Sequence, residues 1–167
     1  MANNLNCSEI VKFAIQIEKN GRDFYDLASK NVKAEKVRQV FEYISNDEQL
    51  HIAVFEGLQS RLYRDSGLEE SFTAEYSQYL KALIEINSFT QSKQGSELAR
   101  TIRNDKHALE LALSLEKDTI LFYHEMKVVL DSGLNDDLDK LIVSEQDHCK
   151  KLSDAYKGFN KFGINRD

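Results

Sequence analysis

An all-α fold, with four long helices joined as hairpin, crossover, hairpin, is predicted by three observations. The chain of 167 residues contains no proline, has only 7 glycines, and repeats its apolar residues at three- and four-residue spacing over long stretches. A sheet of many short strands would need more turns than this sequence offers.

Asn6, with Glu9 three residues on, reads as a capping box that opens the first helix, whose buried stripe is Ile10, Phe13, Ala14, Ile17, Phe24 and Ala28. This helix is expected to fade over 29–32. The second is expected from about 33 to 64, with Val37, Phe41, Ile44, Ile52, Phe55 and Leu58 facing the core and Asp65-Ser66-Gly67 as its stop. Between 68 and 103 the periodicity weakens. A short helix is expected over 73–86 and a polar, turn-rich stretch over 87–95, so this segment reads as a long crossover. A third long helix spans about 105–130 and ends at Asp131-Ser132-Gly133. The fourth runs from Asn135 to about Phe159, its start favoured by Asp136, Asp137 and Asp139.

Length and composition, with 41% hydrophobic residues, fit one domain over 1–167 that fills its own core. Neither a signal-peptide pattern nor a run of ~20 apolar residues is present, so a cytoplasmic location without a membrane is expected. A formal charge of −6 argues against nucleic acid as a partner, and Lys36/Arg38 and Lys150/Lys151 are too sparse to form a basic face. Cys7 and Cys149 are far apart and form no C-x-x-C, so a metal would have to be bound by oxygen and nitrogen.

The two halves echo one another. Ile17-Glu18-Lys19 with Phe24-Tyr25 matches Leu115-Glu116-Lys117 with Phe122-Tyr123 at the same offsets, and each half ends in a Glu-Gln pair with a trailing histidine. Glu18 precedes Glu48 by 30 residues and Glu116 precedes Glu145 by 29, as duplication of one helical hairpin would give. Glu48-x-x-His51 and Glu145-x-x-His148 each set a carboxylate and an imidazole on one helical face. Chance alone supplies about 0.4 such pairs here, so spacing is only suggestive. Placement is stronger: all four glutamates continue apolar stripes, so each long helix aims a carboxylate at the core.

Burying four carboxylates without partners costs several kcal/mol each, and no inward-facing Lys or Arg offsets it. A metal-free bundle with buried polar contacts leaves that cost unmet. Two divalent cations would balance the four glutamates, with the histidines as neutral ligands. Hard oxygen with imidazole suits iron or manganese, while zinc and cobalt remain open.

One Glu from each of two helices plus Glu-x-x-His from the other two is the pattern of ferritin-like dimetal proteins. Over roughly 6–156 the chain resembles the rubrerythrin branch of the ferritin-like family. The resemblance implies a ferritin-like antiparallel four-helix bundle with Glu18, Glu48, His51, Glu116, Glu145 and His148 as ligands of two iron ions, manganese or a mixed pair being the alternative. It implies Glu48 and Glu145 as bridging carboxylates, with catalysis proceeding through the metals. The function it implies is a diiron oxidoreductase that reduces hydrogen peroxide or dioxygen. The alternative is an iron-binding ferroxidase without sustained turnover.

The chain departs from rubrerythrins in three respects. It lacks the two C-x-x-C pairs of a rubredoxin-type domain, so an external donor such as a rubredoxin-like protein is expected to supply electrons. Thr119 stands where rubrerythrins carry an extra glutamate tied to peroxide chemistry. Asp47 occupies the place of an Asp that orients a ligand histidine in related proteins, but its counterpart in the second half is Ser144.

Tyr25 and Tyr123, each seven residues after a ligand glutamate, are positioned to hydrogen-bond ligands or pass electrons, although buried tyrosines more often only pack. His107 and His124 read as surface or packing residues, and Cys149 as a small buried hydrophobe. Phe72, Tyr76, Tyr79, Leu80, Leu83 and Phe89 of the crossover are expected to bury against a second copy, as paired bundles do in this family, giving a homodimer.

Overall fold

The computed structural model describes residues 5–64, 73–86, 94–130 and 134–162. Among these the regular structure is helical: α1 (Cys7–Asn31), α2 (Glu35–Arg64), α3 (Ala74–Ile86), α4 (Gln94–Arg100), α5 (Asp105–Val129) and α6 (Asn135–Phe162). The stops expected at 65–67 and 131–133, together with Phe72 and Phe89, lie outside the described residues.

Local chemistry sets the helix ends. Asn6 Oδ1 accepts from the Glu9 N–H at 2.9 Å and Glu9 Oε2 accepts from the Asn6 N–H at 3.0 Å, completing the expected capping box. α1 ends at Val32, whose extended backbone still donates to Ala28 O at 3.1 Å. α2 starts two residues later than expected because the Lys33 and Ala34 N–H groups donate to the Asp105 carboxylate, at 2.9 and 2.6 Å, instead of joining a helical turn. The first residue of α5 thereby ties down the α1–α2 connection. Asn104 caps α5 by accepting from the His107 N–H at 2.9 Å, and His107 Nδ1 accepts from the Arg103 N–H at 3.3 Å. His107 therefore serves a helix end.

α1 packs against α2, α5 against α6, and the two hairpins meet through α2–α6 and α1–α5. The apolar stripes close on one core. Val37, Phe41, Ile44, Ile52, Phe55 and Leu58 of α2 are all buried, as are Ile10, Ala14, Ile17, Phe24 and Ala28 of α1, while Phe13 is only partly covered. Phe24, Tyr25 and Phe41 form one aromatic cluster, and Phe55, Phe122 and Tyr123 form another. Phe41 and Phe55 stand seven residues to either side of Glu48, about 10 Å along α2 in each direction, so the clusters flank the level of the glutamates.

Among the described residues the crossover holds two short helices where one was expected, and 87–93 of the expected turn-rich stretch lie outside them. Residues 94–100, of which 94 and 95 were read as part of a turn, form α4 and dock on α1 at Gly95. A Cβ at Gly95 would lie 1.8 Å from the Asn20 carbonyl oxygen, so only glycine permits this approach. In α3, Leu80 and Ile84 are buried in the chain's own core, and the Tyr76 hydroxyl donates to Glu125 of α5 at 3.1 Å. Leu80 is thus not available to a second copy as expected, whereas Tyr79 is exposed.

Candidate metal centre

Glu18 of α1, Glu48 and His51 of α2, Glu116 of α5, and Glu145 and His148 of α6 meet in the middle of the bundle, and all six are buried. Each helix brings its residue inward by the same periodicity that buries its apolar stripe. The ligand-type atoms of these six fall into two groups, each within 4.8 Å: Glu18, Glu48, His51 and Glu145; and Glu48, Glu116, Glu145 and His148; a third such group joins both histidines to the partly exposed Asp47. Glu48 and Glu145 belong to both of the first two. Gly21, one turn after Glu18, leaves room beneath Glu48, since a Cβ there would sit 3.4 Å from its carboxyl carbon.

Both imidazoles turn Nδ1 into the cluster. His51 Nδ1 lies 2.8 Å from Glu145 and 3.3 Å from Glu18, and His148 Nδ1 lies 2.9 Å from Glu145 and 3.6 Å from Glu48. The rings stack at 5.5 Å, and both Nε2 atoms face Asp47. Asp47 accepts from His148, on the opposite hairpin, at 2.9 Å, and also from the Ser144 hydroxyl at 2.9 Å. The Tyr25 hydroxyl donates to Glu116, again across the halves. Tyr43 sets its ring edge-on to His148 at 6.2 Å.

The electrostatics are those of crowded buried acids. Burial, then the neighbouring Glu18, pushes Glu48 well above the carboxylate range. Burial and the Glu145 charge push Glu116 up to about 8. Burial also raises Glu18. Burial and Glu48 act to raise Glu145, yet the hydrogen bond from His148 and the close approach of His51 outweigh them and hold it low. Burial disfavours charge on His51 and His148, but the surrounding carboxylates win and raise both. Burial, with the Glu116 and Glu145 charges, lifts the half-buried Cys149 thiol to about 11, so it carries a proton at neutral pH and is a poor nucleophile.

Protons alone do not settle this cluster. Among the described residues, both Glu18 oxygens, His51 Nδ1 and Glu145 Oε1 are buried without a well-directed hydrogen bond, although His51 Nδ1 and Glu145 Oε1 lie 2.8 Å apart. Unpaired buried polar atoms are costly, and a cation that accepts several donors at once removes that cost. Oxygen and imidazole donors in two overlapping groups fit a pair of divalent metal ions.

The structure brings together all six sequence-predicted residues. Tyr25 meets a ligand-type glutamate, while Tyr123 Oη has no hydrogen-bond partner among the described residues. Tyr43, Gly21 and Ser144's contact with Asp47 were not anticipated. Gly21 shares the inward face of Glu18 and could have been found from its spacing, whereas Tyr43 is partly exposed and gave no signal.

Bundle and centre together define a ferritin-like four-helix protein. A solved structure from Thermotoga maritima, described as a ferritin-like diiron-carboxylate protein, matches with a TM-score of 0.71 and 22% identity, covering 94% of this chain and 98% of that one. The family model described as Rubrerythrin matches residues 9–104, which include Glu18, Glu48 and His51. The chain belongs to the rubrerythrin family. No curated protein matches it.

Proposed function

We propose that this protein is a non-haem diiron oxidoreductase that reduces hydrogen peroxide or dioxygen with electrons from an external donor, in defence against oxidative stress. The observation that carries the reading is the convergence of four buried carboxylates and two imidazole Nδ1 atoms with four polar atoms left unpaired. Glu18 and His51 would hold one iron, Glu116 and His148 the other, and Glu48 and Glu145 would bridge them. An iron pair held there would supply the two electrons that, with two protons, convert hydrogen peroxide to two waters.

The chain's own residues supply the setting. Aromatic clusters on both sides keep bulk water from the ligands, and the six residues are at most 4% exposed. Tyr25 holds its proton on Oη against Glu116, and burial, with the Glu116 charge, keeps that hydroxyl protonated. Asp47, with 20% of its side chain exposed, links His148 Nε2 to the surface. A rubredoxin-like donor, a homodimer and a cytoplasmic location belong to this proposal. Among the described residues no helix is long and apolar enough to cross a membrane, which is compatible with that location.

Thr119 is buried one turn after Glu116 and brings no further carboxylate to the centre, which favours a second reading: uptake and oxidation of Fe(II) without sustained turnover. Protein purified without oxygen or added metal and loaded with Fe(II) separates the two. Oxidation by peroxide faster than that of free ferrous ion, repeated over many turnovers with a reductant, is expected. Oxidation that stops after one turnover, with more than two irons accumulating per chain, would establish the second reading. Oxidation no faster than that of free ferrous ion would refute the enzyme.

A further inference from the structure

The internal repeat equates Glu18 with Glu116, His51 with His148, Tyr25 with Tyr123 and Asp47 with Ser144. If the two halves were equivalent, each histidine would have a carboxylate behind Nε2 and each terminal glutamate a tyrosine behind its oxygen. They are not equivalent. On the Glu116–His148 side both supports are made: Tyr25 donates to Glu116, and His148 Nε2 lies 2.9 Å from Asp47. On the Glu18–His51 side neither is. Tyr123 Oη has no hydrogen-bond partner among the described residues, and His51 Nε2 is 3.9 Å from Asp47, beyond hydrogen-bond reach. Ser144, where the repeat would place a second aspartate, donates its hydroxyl to Asp47 and so strengthens the side that is already supported.

We propose that the two metal positions are unequal by construction: the Glu116–His148 position binds first and tightly, the Glu18–His51 position binds second and exchanges readily, and Asp47 is the positioning residue responsible. Ligands held beforehand by hydrogen bonds lose less freedom on binding, whereas Glu18 has no tyrosine hydroxyl and His51 Nε2 no carboxylate within hydrogen-bond reach to hold it. Partners behind a ligand histidine also set which nitrogen is free to bind and raise its basicity, an effect worth about 10–100-fold in metal affinity. Tyr43, edge-on to the His148 ring, further restrains the same imidazole. The inference rests on the dimetal reading above and gives it a direction: metal enters and leaves through the weakly supported half.

The test is an oxygen-free titration of the full chain with Co(II), followed by visible absorption and calorimetry, which needs no enzymatic turnover. Wild-type protein is expected to take two equivalents, with affinities about tenfold or more apart. His51→Ala isolates the supported position and His148→Ala the other. Adding Asp47→Asn should weaken Co(II) binding about tenfold or more in the His51→Ala background and alter its spectrum, but change it less than about threefold in the His148→Ala background. Ser144→Asp in the wild-type chain should tighten the weaker equivalent and narrow the gap. Equal wild-type affinities, or an equal loss in both backgrounds, would overturn the proposal, the second outcome making Asp47 merely structural. Failure of wild-type protein to bind any Co(II), with helical content intact by circular dichroism, would instead overturn the dimetal reading itself.

Discussion

Removing Glu48 or Glu145 probes the centre more sharply than removing a terminal ligand, because both belong to the two overlapping groups. Glu48→Ala or Glu145→Ala is expected to lose at least one metal per chain and most redox activity while the helices persist; elemental analysis with circular dichroism checks this, and normal metal content in both variants would refute the assignment. Titration gives a second residue-scale prediction. Glu116 is raised from 4.5 to about 8, so its contribution to the metal-free fold is complete below 4.5 and is lost as pH rises through about 8. Glu18 and Glu48 shift in the same direction, and the histidines, raised from 6.5, also lose their contribution on the alkaline side. Glu145 and Asp47, held low, act oppositely and only on acidification below 4.5 and 3.8. The thermal midpoint of chelator-treated protein should therefore fall between about pH 5 and about pH 8, and metal binding in that window should release protons and tighten with pH. Calorimetry in two buffers of different ionisation enthalpy measures that release; a pH-independent midpoint would contradict it. That these six residues meet inside the bundle was legible in sequence because each sits on an apolar stripe. The partner of Asp47 was not, because nothing in a helical period says that an aspartate beside His51 reaches the histidine of the opposite hairpin.

Among the elements, the long helices were legible to within a few residues because their signals are local: a capping box at Asn6 and Glu9, and stripes of three- and four-residue spacing. α4 was missed for the opposite reason. Its seven residues are too few to show a period or to be stable alone, and it exists because it docks on α1. Gly95, which reads as a helix breaker, is what permits the docking. Gly95→Ala should destabilise the protein by about 3 kcal/mol, the upper end of overpacking, because the obstacle is the rigid Asn20 carbonyl at 1.8 Å. Gly57→Ala, where an added Cβ meets nothing within 4 Å, should instead stabilise α2 by about 0.5–1 kcal/mol. Urea midpoints of the two variants decide this, and a neutral Gly95→Ala would mean that α4 contributes nothing to the folded state. At the other end of α1, Asn6→Ala removes the acceptor for the Glu9 N–H and should cost about 1 kcal/mol on the same assay.

For the whole molecule, the carboxylate–histidine cluster is a charged layer inside a core that is complete on either side. Above and below the carboxylates lie the Phe24–Tyr25–Phe41 cluster, which joins α1 to α2, and the Phe55–Phe122–Tyr123 cluster, which joins α2 to α5. Burial of those rings favours folding whether or not the layer between them is neutralised. The metal-free chain should accordingly fold as the same bundle, weakened by the four unpaired polar atoms and by mutual repulsion of the glutamates. Loading should remove both penalties, which places a limit on how the two states differ: similar helical content, different stability. With free metal at about a hundredfold over its dissociation constant, binding adds about 2.7 kcal/mol, which for a domain of this size raises the thermal midpoint by about 5–10 °C. Differential scanning calorimetry of chelated and Fe(II)- or Mn(II)-loaded protein, kept free of oxygen, measures both quantities. A midpoint that rises with metal concentration while the far-ultraviolet spectrum stays constant fits a centre built into a self-sufficient core. Large loss of helix on chelation would mean instead that the aromatic clusters cannot hold the hairpins together and that the metals are a structural requirement of the fold.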